Sequence, residues 1–84
     1  MIEVTSIVRT NKGKGITVSY IKDGIADVMI MRKTGGEKYN RLSIQDCGPG
    51  GRQCFFVHKS TTRNITPSSM YGYKRILQII DIPA

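Results

Sequence analysis

The 84-residue chain has no Trp, one His, two Cys, three Pro and only six Asp and Glu. Each scarcity excludes something. No apolar run approaches the roughly 18 residues of a membrane-spanning helix. The N-terminus, Met1-Ile2-Glu3-Val4-Thr5, lacks the basic start and unbroken apolar stretch of a secretory signal, so a cytoplasmic chain is expected. Two Cys are too few for a disulfide scaffold. A chain of this length buries only about 60–65% of its unfolded surface, which fits one small domain over residues 1–84 and excludes separate substrate and cofactor domains.

Metal and thiol chemistry are poorly supplied. Cys47, Cys54 and His58 are three of the four ligands a structural zinc site needs, and the two Cys lack close pairing. Asp46 is the nearest fourth candidate. Cys54 and His58 share a strand face, but four residues at about 3.3 Å each set them roughly 13 Å apart, too far for a nucleophile and its base. Cys47 and Cys54 flank one turn and are placed for a disulfide, which a reducing cytosol would not keep. Gly48-Pro49-Gly50-Gly51 lacks the spacing and the Lys-Ser/Thr ending of a P-loop. No catalytic set, metal or cofactor is expected.

What is present is period-two alternation broken by Gly-containing turns, the pattern of short half-buried antiparallel strands. Five strands are expected, over residues 3–10, 16–21, 26–32, 38–45 and 52–59. Ile16, Val18 and Tyr20 share one face of the second. Leu42 and Ile44 are the buried side of the fourth. Lys22-Asp23-Gly24 is a hairpin signal, because Gly accepts the positive φ such a turn requires. In the tail, Thr66-Pro67 resembles a helix start, with Met70, Tyr73, Leu77 and Ile80 at helical spacing. Gly72 and the β-branched Ile76, Ile79, Ile80 and Ile82 oppose it. A C-terminal helix is favoured over a closing strand. The fold class is therefore mainly β or α+β: a small five-stranded antiparallel meander, or an SH3-like or OB-like barrel, with that helix.

Thirteen Lys and Arg against six acids leave a net charge of +7. The excess is uneven. Residues 1–31 hold four basic and three acidic side chains, residues 32–84 nine and three, and no acid falls between Asp46 and Asp81. A field of one sign attracts polyanions. In a meander, the Lys12-Gly13-Lys14 turn and the Gly35-Gly36 turn share one end, and Gly-rich turns add backbone N–H donors to the cations.

The expected function is a non-enzymatic nucleic-acid-binding module, single strands favoured, dominated by backbone contacts with weak sequence specificity. Arg32, Lys33, Lys38, Arg41, Arg52, Lys74 and Arg75 are the candidate phosphate contacts. Tyr39 and Tyr71, beside cations in the sequence, are the candidate stacking platforms. A different class stays open: a small inhibitor that binds an acidic protein partner through Met29, Met31 and Phe56. The small, basic, motif-poor profile is similar to that of many virus-encoded accessory or anti-defence proteins. A sequestering binder of an anionic nucleotide, using the Gly-rich loop and Arg52, is a third version. The apolar character of both faces of strand three also suits a homodimer.

Overall fold

A computed structural model of the chain describes residues 2–10, 12, 14–32, 35–62, 64–71 and 74–83. The fold is mainly β and antiparallel, in two sheets. The first has the order β1-β2-β3, with β1 Ile2–Thr10, β2 Gly15–Lys22 and β3 Ile25–Arg32. The second has the order β5-β4-β7-β6, with β4 Tyr39–Asp46, β5 Gln53–Lys59, β6 Met70–Tyr71 and β7 Lys74–Asp81. Contacts divide the chain into two compact units: Met1–Lys38 with Pro83–Ala84, and Tyr39–Ile82.

The first unit is the meander the alternation predicts. Asp23 (φ 52°) and Gly24 (φ 78°) form a two-residue turn between Lys22 and Ile25, the left-handed pair that matches strand twist. Ile16 and Val18 are fully buried on one face of β2. Their cross-strand neighbours are Met31 and Met29 on β3, and Arg9 and Ile7 on β1. A bulge at Thr5 separates the Val4–Tyr20 and Ser6–Ser19 pairs. Val4 and Ile7 therefore share a face three residues apart, a spacing that strict alternation does not give.

The second unit corrects two expectations: the described residues form seven strands, not five, and the tail is strand. The described residues contain no α-helix, and none is long and apolar enough to cross a membrane. Thr66-Pro67 opens a turn. Pro67 occupies its second position, Ser68 adopts φ 75°, and the Ser69 N–H donates to the Thr66 carbonyl at 3.0 Å. A left-handed residue at that point stops a helix from propagating. β7 then pairs with the free edge of β4, with Leu77 as a bulge between the Gln45–Ile76 and Ile44–Gln78 pairs. The bulge puts Ile76 and Ile79 on one face at a spacing of three, which mimics a helical period. Tyr73, in the expected helical face, lies outside the described residues.

This four-stranded sheet curls on itself. Tyr71 on β6 sets its ring edge against His58 on β5, with centroids 4.8 Å apart and planes at 87°, although β4 and β7 lie between those strands in the order. A three-stranded meander and this half-barrel stand in place of the single five-stranded meander or SH3-like or OB-like barrel expected. The curl explains why Ser43 and Gln45, on the same face as His58, are as fully buried as Leu42 and Ile44 on the opposite face.

Candidate functional site: two basic surfaces

Strand register places a group of cations at one end of the three-stranded sheet. Thr10 pairs with Gly15, and Gly15 with Arg32, so the end of β1, the start of β2 and the end of β3 coincide. Lys12 and Lys14 are exposed in the turn there, and Arg32 is exposed at the strand terminus. Arg9 holds the neighbouring chain in place. Its Nη1 donates to the Gly36 carbonyl and its Nε to the Pro83 carbonyl, both at 2.9 Å. This brings the short 3-10 turn Gly36–Lys38, with exposed Lys38, to the same end.

The acids of the sheet lie toward the opposite end. Asp23 is in the β2–β3 turn, Glu3 pairs with Ile21 beside it, and Asp27 follows on β3. Of the first unit's acids, Glu37 accompanies the cations. Arg9 spends its donors on carbonyls, so its charge adds to the field without being neutralised. Lys33 of the expected phosphate set follows Arg32 in sequence and lies outside the described residues.

The other expected phosphate contacts belong to the second unit, which carries six Lys and Arg against two Asp, a net of +4. Arg52 and Arg75 are exposed, and Lys74 is half-buried. Lys74 Nζ sits 4.8 Å from the centroid of the Phe56 ring, and Lys59 Nζ 5.6 Å from that of Tyr39. Arg75 Nε faces Asp46 Oδ2 at 3.5 Å across an exposed surface, a pair worth at most about 1 kcal/mol that leaves the guanidinium accessible. Arg41 is more committed: its Nη2 donates to the Thr62 carbonyl at 3.0 Å. Tyr71 is 43% exposed, whereas Tyr39 is half-buried under Lys59. Of the expected protein-contact residues, Met29 and Met31 are in the first unit and Phe56 in the second.

The interior of the half-barrel is unusually polar. Ser43 Oγ and His58 Nε2 are hydrogen-bonded at 2.7 Å, at 0% and 2% exposure. Burial, and then the nearby Arg41 charge, push the His58 pKa below its ordinary value, so the imidazole is neutral at pH 7. This depth keeps the pair from solvent-borne substrates and makes it a structural bond. The side-chain amide of Gln45, also fully buried, has no hydrogen-bond partner at either end among the described residues. Cys47 and Cys54 are joined as a disulfide, Cα atoms 5.8 Å apart. It closes the loop that holds Pro49–Gly51, which the Cys47 N–H also closes by donating to the Arg52 carbonyl at 2.8 Å. No group of three His, Cys, Asp or Glu among the described residues is placed to hold a metal ion.

Arg9, Lys12 and Lys14 were not among the expected phosphate contacts. The shared-end rule for meanders points to the two lysines. Arg9 looks like an ordinary strand residue until the register is known. Comparison with protein-family models, curated proteins and solved structures finds no match for this chain.

Proposed function

We propose that this protein is a non-enzymatic nucleic-acid-binding module that grips the phosphate backbone through the basic end of its three-stranded sheet. The observation that carries the reading is charge segregation within one small sheet. Arg9, Lys12, Lys14, Arg32 and Lys38 gather at one end, while Glu3, Asp23 and Asp27 lie toward the other. Like charges repel, and a fold indifferent to partners gains nothing by concentrating them. A polyanion relieves that repulsion and releases its own counterions.

Lys12, Lys14, Arg32 and Lys38 are the exposed contacts, with Arg9 positioning the turn that carries Lys38. On the second unit, Arg52, Lys74 and Arg75 offer further phosphate contacts, and Tyr71 a partly exposed ring for stacking. The described residues provide no recognition helix, which supports backbone-dominated binding with weak sequence preference. Fluorescence anisotropy with labelled single- and double-stranded DNA and RNA tests this. Affinity should fall steeply with salt, and a flat salt response would refute it.

The exposed apolar residues of β3 favour a second reading, a small protein-binding inhibitor. One stoichiometric protein partner retained after nuclease treatment would support it.

A further inference from the structure

In the three-stranded sheet β3 is an edge, and it carries few of the devices that blunt one. It is eight residues long and pairs with β2 through eight consecutive residues without a register shift. It contains no Pro and no Lys. The other edge strand, β1, is interrupted by its bulge at Thr5. Every residue from Ile25 to Ile30 is exposed, Val28 to 52% and Ile30 to 65%. A long, regular, apolar edge is a template for pairing with another chain.

The turn fixes which backbone groups of β3 face outward. In a two-residue hairpin the flanking pair, here Lys22 and Ile25, exchanges hydrogen bonds, and bonding alternates from there. Ile25, Asp27, Met29 and Met31 therefore turn their N–H and C=O groups to β2. Ala26, Val28, Ile30 and Arg32 turn theirs away. The Val28 N–H agrees with this assignment: it donates to Asp27 Oδ1 at 2.8 Å.

We propose that the β3 edge is the contact between two copies of this chain, paired antiparallel about a two-fold axis at Met29 to form one six-stranded sheet. Hydrogen-bonding parity permits this axis, because outward groups meet outward groups: Val28 opposes Ile30 of the second copy, and Ala26 opposes Arg32. Side chains match as well. The exposed Val28 and Ile30 cover each other on one face, and Met29 meets Met29 on the other.

Charge selects a second copy over other occupants. β3 and its turn carry acids, Asp23 and Asp27, toward one end and Arg32 at the other. Antiparallel pairing sets each acidic end beside the other copy's basic end, twice, as a self-complementary interface requires. A parallel pairing would set acid beside acid. From Ile25 to Met31 this chain of net charge +7 has one acid and no cation, so the edge holds little of the positive charge by which two such chains repel. On pairing, the Val28 N–H passes to the second copy's Ile30 carbonyl. The Asp27 carboxylate, released from that bond, keeps the Tyr20 hydroxyl at 3.5 Å and opposes Met31, on the sheet face opposite Arg32.

The test is sedimentation equilibrium of the nuclease-treated full chain across a broad concentration series. A reversible monomer–dimer equilibrium is expected. Ile30→Glu, at a position 65% exposed, should shift the chain to monomer while a cooperative melting transition persists. Asp27→Arg and Arg32→Asp should each weaken the dimer, because each sets like charges side by side at the ends of the paired edge. A wild-type chain that stays monomeric throughout overturns the proposal, as does a dimer that Ile30→Glu leaves unchanged, or single charge reversals that do not matter.

Discussion

Acid should destabilise this protein through one residue, His58. The imidazole is buried to 2% exposure, bonded to Ser43 Oγ at 2.7 Å and flanked by the Arg41 guanidinium. Its folded-state pKa is lowered by burial and then by that charge, whereas in the unfolded chain it titrates near 6.5. Between the two values the unfolded state binds one more proton. Stability is therefore fully present above about pH 6.5 and is lost as pH falls toward the folded value, by up to about 1.4 kcal/mol per pH unit. For a domain of this size each kcal/mol moves Tm by roughly 4–8 °C. The chain has a single His, the side-chain type whose ordinary charge change falls between pH 5 and 8, so the slope from about pH 6.5 to 5 is assigned to His58. Thermal melts followed by circular dichroism at half-unit steps would show a falling Tm across it. His58→Gln, which keeps a polar partner for Ser43, should lower Tm at pH 7.5 but flatten the acid slope. A wild-type Tm that is constant or rises from pH 6.5 to 5 would refute the reasoning, as would an equal slope in the variant.

Four further outcomes follow from the geometry. Gln45→Met should stabilise the protein by about 1–3 kcal/mol in urea denaturation, because a buried amide without partners gives way to an apolar chain of similar shape. Ser68→Gly should raise stability by roughly 0.5–1 kcal/mol, since Gly accepts the φ of 75° at that turn position without strain; a lower Tm would contradict the turn assignment. Reduction of the Cys47–Cys54 bond should cost about 2.5 kcal/mol in the loop-entropy account of a short closed loop, and thiol titration of the denatured, unreduced chain should find no free thiol. Arg9→Ala should lower stability by about 1–3 kcal/mol through its two lost carbonyl bonds, and Arg9→Lys should not fully restore it, because one ammonium does not reproduce the fork that spans Gly36 and Pro83.

The elements most legible in the sequence were those whose signals are local. Asp23-Gly24 announces its own turn, and Ile16, Val18, Leu42 and Ile44 alternate as buried strand residues do. The tail resembles a helix in sequence for a physical reason. The Leu77 bulge converts a spacing of two into a spacing of three between Ile76 and Ile79, and a left-handed Ser68 turned a Pro that suits a first helical turn into one that suits a tight turn. The buried Ser43, Gln45 and His58 were hidden because their burial comes from the curl of a sheet whose last strands return over its first, a long-range event with no local mark. At the basic end, Lys12, Lys14, Arg32 and Lys38 were legible as cations near turns. Their convergence, and the part Arg9 plays in it, required the register.

The most direct measurement is the salt dependence of nucleic-acid binding by the wild-type chain and by the Lys12→Ala/Lys14→Ala double variant. Four exposed cations at the basic end, each neutralising a phosphate, contribute about −2.8 to the log–log slope on single strands and about −3.6 on duplex, before any contact from Arg52, Lys74 or Arg75. Between 50 and 200 mM salt that is a loss of affinity of roughly 50-fold and 150-fold. The double variant should bind more weakly at every salt concentration, with a slope shallower by about 1.4 to 1.8. Binding that ignores salt, or a double variant that keeps the wild-type slope, would contradict the claim that this end of the sheet grips a phosphate backbone.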